Sequence, residues 1–139
     1  MHRVVVGVFV ALIVCIGGAP ASAHHSFAAE YDRDKPVTLH GTVTRIEWMN
    51  PHIYFYMDVK DEGGAIVNWA IEGGAPTSLY RAGWRKDDMK VGDAVTVNGY
   101  LARNGKKLAN MRTAVLADGR EVFGGQQYFT PTLPKPPGF

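Results

Sequence analysis

From Val37 to Trp48 apolar and polar positions alternate. Val37, Leu39, Gly41 and Val43 oppose Thr38, His40, Thr42 and Thr44. A period of two predicts a half-buried strand over 37–48. Its phase changes part-way, because Ile46 and Trp48 continue the apolar set on the other parity. Such a change predicts a bulge or bend, placed near Gly41, and Asn50-Pro51 ends the strand. Over 53–59, Ile53, Phe55, Met57 and Val59 share one face, with Tyr54, Tyr56 and Asp58 on the other. Asp61-Glu62-Gly63-Gly64 predicts a hairpin turn into a third strand, 65–72. Residues 75–82 read as a short helix, with Pro76 in its first turn, Leu79 inward and Gly83 at its end. Two further strands follow, at 94–102 and 107–117. Asn104-Gly105 predicts the turn between them, and Glu121–Phe123 forms a short extension.

Three strands, a helix and two strands are the order of a small five-stranded OB-type barrel, an all-β fold with one short helix between strands three and four. An open sandwich or roll of five or six strands is the alternative.

The first 23 residues follow another logic. His2 and Arg3 precede an uninterrupted apolar run, Val4–Ile16. Gly17, Gly18 and Pro20 break it, and Ala21-Ser22-Ala23 supplies the small residues that signal peptidase accepts. This order predicts a secretory leader, with the protein periplasmic or secreted. The run is shorter than the roughly 20 residues that span a bilayer, so no transmembrane segment is expected after cleavage. Acylation at Cys15 is disfavoured by the bulk of Val14. The predicted organisation is a leader at 1–23, a polar lead-in at 24–36, a β-barrel domain at 37–123 and a proline-rich tail at 124–139. Pro131, Pro134, Pro136 and Pro137 exclude a helix or a central strand from that tail.

Composition adds two restrictions. The chain carries 15 Lys+Arg against 13 Asp+Glu, a formal charge of +2. That balance argues against a nucleic-acid partner. Its single cysteine leaves with the leader, so a mature chain of 116 residues, 139 less the 23 removed, has neither a disulfide nor a thiolate zinc site.

Cleavage after Ala23 makes His24-His25 the mature N-terminus. The α-amine, the His24 ring and the His25 ring are three nitrogen donors close together, a set that suits Cu(II). The alternative is a solvated terminus. His52, in Trp48-Met49-Asn50-Pro51-His52, lies in a loop that borders the ligand face of an OB-type barrel. It is a third candidate metal ligand, or else a ring hydrogen-bonded to backbone or to Glu72 that holds its own loop. Glu72, at the end of the third strand, is the best single carboxylate for a general base or for orienting a histidine; capping the next turn or pairing with Arg81 or Arg85 is the alternative. Tyr54, Tyr56, Trp48 and Trp69 are a candidate aromatic ligand face, with the two tryptophans read alternatively as core. His40, beside three threonines, is expected to be exposed. No G-x-S-x-G or phosphate-cradling loop is present, and no catalytic residue is predicted.

Ala23-His24-His25-Ser26-Phe27, Leu39-x-Gly41-x-Val43, Trp48-x-Asn50-Pro51-His52, Trp69-x-x-Glu72, Arg81-x-Gly83-Trp84, Gly92-Asp93-x-Val95-x-Val97 and Asp118-Gly119 together resemble a family of small exported bacterial proteins known only as a domain of unknown function. The resemblance covers about 24–120. It implies export and a small β-barrel-like domain, and no established reaction or ligand.

The expected function is an exported binding domain, with copper as the candidate cofactor at His24, His25 and His52. The alternative is a metal-free interaction or small-ligand module of the cell envelope, docking an envelope protein through its tail or a small ligand through its tyrosine face.

Overall fold

The computed structural model describes residues 27–125. The predicted leader, His24-His25 and the tail from residue 126 onward lie outside the described residues. A four-residue helix, α1 (Phe27–Glu30), leads into β1 (Tyr31–Glu47), β2 (Tyr54–Lys60) and β3 (Ile66–Glu72). Helix α2 (Pro76–Arg81) and a single 3-10 turn at Lys86–Asp88 precede β4 (Ala94–Ala102), β5 (Leu108–Val115) and β6 (Glu121–Phe123). The fold is mostly β-sheet. One six-stranded sheet runs β3-β2-β1-β4-β5-β6 with antiparallel neighbours. A further parallel pairing sets Ala70, Ile71 and Glu72 of β3 beside Leu108, Ala109 and Asn110 of β5.

The period-two patterns become one buried face. Leu39 and Val43 of β1, Phe55, Met57 and Val59 of β2, Ile71 of β3 and Val95 and Val97 of β4 enclose the core together with Leu79 and Trp84. Leu79, at 0% exposure, is the residue that fastens α2 to the sheet. Gly83, at φ +92°, lets the chain turn back, and Trp84 N–H reaches the Leu79 carbonyl at 3.0 Å. This left-handed helix end suits glycine because no Cβ is present to clash.

Four sequence expectations change. The bulge of β1 falls between Val43 and Arg45, leaving Thr44 as the extra residue, and not near Gly41. It moves the apolar set onto Ile46 and Trp48, which pack against the core. Gly41 instead permits a close approach. A Cβ there would stand 2.3 Å from the Asp58 carbonyl oxygen, so β2 can lie this near only to a glycine. Strand β1 also starts at Tyr31 rather than Val37, because Tyr31 pairs with Ala102 and its ring is buried. The β4–β5 loop spans 103–107, because β5 starts at Leu108 rather than at 107, and the short extension forms the sixth strand.

A second, smaller apolar cluster lies apart from the first. Phe27, Tyr31 and Ala102 form it, with Tyr100 and Leu108 packed alongside. Phe27 meets Tyr31 at 5.5 Å and Tyr100 edge-on at 5.8 Å between ring centroids. Helix α1 therefore packs Phe27 against the start of β1 and the end of β4. Among the described residues, no helix is long and apolar enough to cross a membrane.

Candidate functional site

The most unusual group in the molecule is Glu72, a carboxylate with 3% exposure at the last position of β3. Register places it there. Antiparallel partners in a sheet share a face, so Glu72 stands beside Tyr54 of β2, and its parallel neighbour is Asn110 of β5. This face is opposite the one that carries Phe55 and Ile71. Tyr31 reaches it from the start of β1.

Three side chains converge on this carboxylate. Tyr31 and Tyr54 both donate their phenolic O–H to Oε2, Tyr54 at 2.8 Å. His52 Nδ1 lies 2.5 Å from Oε1. A carboxylate only accepts hydrogen bonds, so Nδ1 carries the hydrogen, and in the neutral ring Nε2 keeps its lone pair. The His52 side chain is 34% exposed, which leaves part of the ring at the surface while its orientation is set from below. Asn50-Pro51, a cis peptide bond, turns the chain into the loop carrying His52.

Asn110 adds a polar group that sequence reasoning missed. It is buried, and its Nδ2 has no hydrogen-bond partner among the described residues. The signal is faint in the sequence: a single amide among the apolar residues of β5. Tyr31 lies in the polar lead-in, where no strand alternation marks it.

Both phenols titrate far above the ordinary tyrosine range. Burial is the larger cause, followed by the hydrogen bond to Glu72 and its negative charge. A raised native pKa favours the protonated form, so this stabilisation is complete below the unfolded value of about 10 and fades as pH climbs above it. Of the six tyrosines, Tyr31 and Tyr54 are expected to ionise only with unfolding. Absorbance at 295 nm followed alongside circular dichroism checks this; reversible titration of all six near pH 10 in the folded protein contradicts it.

The other candidates are dispersed. Tyr56 stacks under Arg45, 3.7 Å from guanidinium carbon to ring centroid, and donates to Glu47 at 3.3 Å. Trp48 stands edge-on to buried Trp84 at 5.7 Å. Trp69 is partly buried against the core with Lys107 5.1 Å from its ring centroid. It pairs with Met57 and so lies on the face opposite Tyr54 and Tyr56. Tyr54 and Tyr56 thus share one face of β2, while Trp69 lies on the other face and Trp48 stands against Trp84. Both tryptophans pack against the core, as their alternative reading held. His40 is exposed, with Nδ1 2.9 Å from Thr96 Oγ1. Glu72 faces His52 and the two tyrosines; Arg85 instead donates to the Tyr80 and Trp84 carbonyls.

Among the described residues, no group of three or more His, Cys, Asp or Glu side chains is placed to hold a metal ion. His52 and Glu72 form a two-member set, and His24 and His25 lie outside the described residues.

Fold and site together define a small β-rich domain in which Tyr31, Tyr54 and His52 meet one buried carboxylate. The chain belongs to a family of unknown function (DUF6152), whose model matches residues 11–111. That match takes in β1 to β4, the Asn-Pro-His loop and the first half of β5. No curated protein matches the chain.

Proposed function

We propose that the protein is an exported, periplasmic or secreted binding domain of OB type that takes Cu(II) or a similar metal at His52, His24 and His25. For the fold, the supporting fact is the circuit of strand pairs β1-β2-β3-β5-β4-β1, in which the parallel β3–β5 pair joins the two ends. For export, the support is the charge, apolar run and Ala-Ser-Ala order of residues 1–23.

The observation that carries the metal reading is the 2.5 Å contact between His52 Nδ1 and Glu72 Oε1. Metal-ligating imidazoles commonly give their second N–H to a carboxylate, which sets the tautomer and raises the basicity of the ligating nitrogen. Here Nε2 is that ligating nitrogen, and Tyr31 and Tyr54 hold the carboxylate in turn. His25 precedes Phe27 by two residues, at most about 7 Å of chain, and α1 is fastened through Tyr31 to the same carboxylate that His52 faces. The described residues fit the role of one ligand and its orienting group; the remaining donors are the terminal pair and, after cleavage, the α-amine.

Isothermal titration of protein beginning at His24 tests the reading. Cu(II) binding is expected to weaken at least about tenfold in His52→Ala and with a Gly-Ser extension ahead of His24. Equal affinity in all three proteins removes the site.

A further inference from the structure

Away from Glu72, a groove of about 540 Å³ opens between the end of β1 and helix α2. Nothing in the metal reading uses it. Its volume lies within the range of small-molecule sites. Trp48 and Pro76 form apolar wall, and Tyr80, 61% exposed, forms the rim. Three cations, Arg81, Arg85 and Lys86, line the same groove, with Asp87 the single acidic member.

Two of these elements are held in place before any ligand arrives. Trp48 is braced edge-on by buried Trp84. Arg85 stacks 3.7 Å from the Tyr80 ring centroid and donates to the Tyr80 carbonyl at 2.8 Å. The guanidinium thus lies over one face of the Tyr80 ring and fixes a positive charge there. Asp88, the nearest other acid in the sequence, is turned away: its side chain accepts from Arg85 N–H at 2.7 Å and pairs with Arg120 at 3.0 Å. An excess of positive charge consequently faces a largely apolar hollow. Walls that are already ordered lose little freedom when something binds.

We propose that this groove is a second binding site, for a small organic anion with a flat apolar body, such as an aromatic carboxylate. The body lies against Trp48 and Tyr80, and the anionic group meets Arg81, Arg85 and Lys86. Guanidinium groups suit this role because their planar N–H pairs match a carboxylate. Charge complementarity selects an anion over a neutral molecule of the same shape. The site is independent of the metal reading and stands or falls separately from it.

The test uses 2-naphthoate and its neutral analogue 2-naphthylmethanol as probes, followed by NMR of the full mature chain. Naphthoate is expected to bind saturably and to shift the Trp48 indole and α2 signals. Naphthylmethanol should bind at least tenfold more weakly. The double variant Arg81→Ala/Lys86→Ala, both exposed side chains outside the core, should erase that preference while the spectrum stays folded. Equal binding of the two probes, or shifts confined to another face, overturns the proposal. So does binding that emerges only when residues 126–139 are removed, which would assign the groove to that segment of the chain.

Discussion

Glu72→Ala is expected to lower the stability of the domain by about 3–4 kcal/mol. Its carboxylate accepts from two phenols and faces the Nδ1 of His52. Deleting it leaves buried donors without an acceptor, and each such orphan costs about 1–3 kcal/mol. Removing a buried charge is a gain in isolation, but this charge is already compensated by its donors, so the loss dominates. Tyr31 is the larger contributor because its ring is 2% exposed, whereas Tyr54 is half-buried. A double-mutant cycle separates the terms. Tyr31→Phe alone should cost about 1–2 kcal/mol, and close to nothing once Glu72 is Ala. The effect should be local as well as global. Tyr31 is the pin that carries α1, so Phe27 should become accessible to protease in the variant before the rest of the sheet. Urea denaturation gives the magnitude. A loss under about 1 kcal/mol would mean that Glu72 is an ordinary surface carboxylate in solution.

Gly99→Ala should be nearly as damaging, at about 3 kcal/mol, for a purely steric reason. A Cβ at position 99 would stand 2.0 Å from the Asn110 carbonyl oxygen and 3.0 Å from its carbon. These are backbone atoms of the adjacent strand, so relief requires β4 and β5 to part. The register shift between Asn98 and Gly99 lies at the same point, and from there Tyr100 faces Asn110, the β5 neighbour of Glu72. The substitution therefore disturbs the face that bears the carboxylate. Gly105→Ala is the control. Nothing lies within 4 Å of its added Cβ, and its φ of +74° is the whole difficulty. That strain should cost about 1 kcal/mol. Thermal melts of both variants compare crowding with backbone strain. A shift in Gly99→Ala no larger than in Gly105→Ala would show that the strands can separate cheaply.

Much of the fold was legible because a half-buried strand writes its burial into alternate residues. The alternation around Phe55, Met57 and Val59 located β2 to within a residue, and Val95 and Val97 did the same for β4. Helix α2 was legible from Pro76, Leu79 and Gly83, which have local reasons to be where they are. The start of β1 was not. Asp32, Arg33, Asp34 and Lys35 read as solvated chain, and only the pairing of Tyr31 with Ala102, some 70 residues away, makes a strand end there. The bulge was legible as a change of phase, but its position at Thr44 depends on where β2 lies alongside.

The candidate site divides in the same way. Alternation by itself determined that Tyr54 and Glu72 sit off the face of Phe55 and Ile71, since side-chain direction follows from sequence parity within a strand. Residue chemistry marked His52 as a candidate ligand, or a ring bonded to backbone or to Glu72 that holds its loop, and Glu72 as a candidate orienter. Only the tertiary structure decided that the two meet, that Tyr31 crosses the same carboxylate, and that Trp69 stands on a different face from the tyrosines it was grouped with. Parity assigns a side to each residue of one strand but is silent on which strands become neighbours. Strand order and register depend on contacts between residues far apart in the chain, and those contacts buried Glu72 beneath Tyr31 and Tyr54, outside the main core.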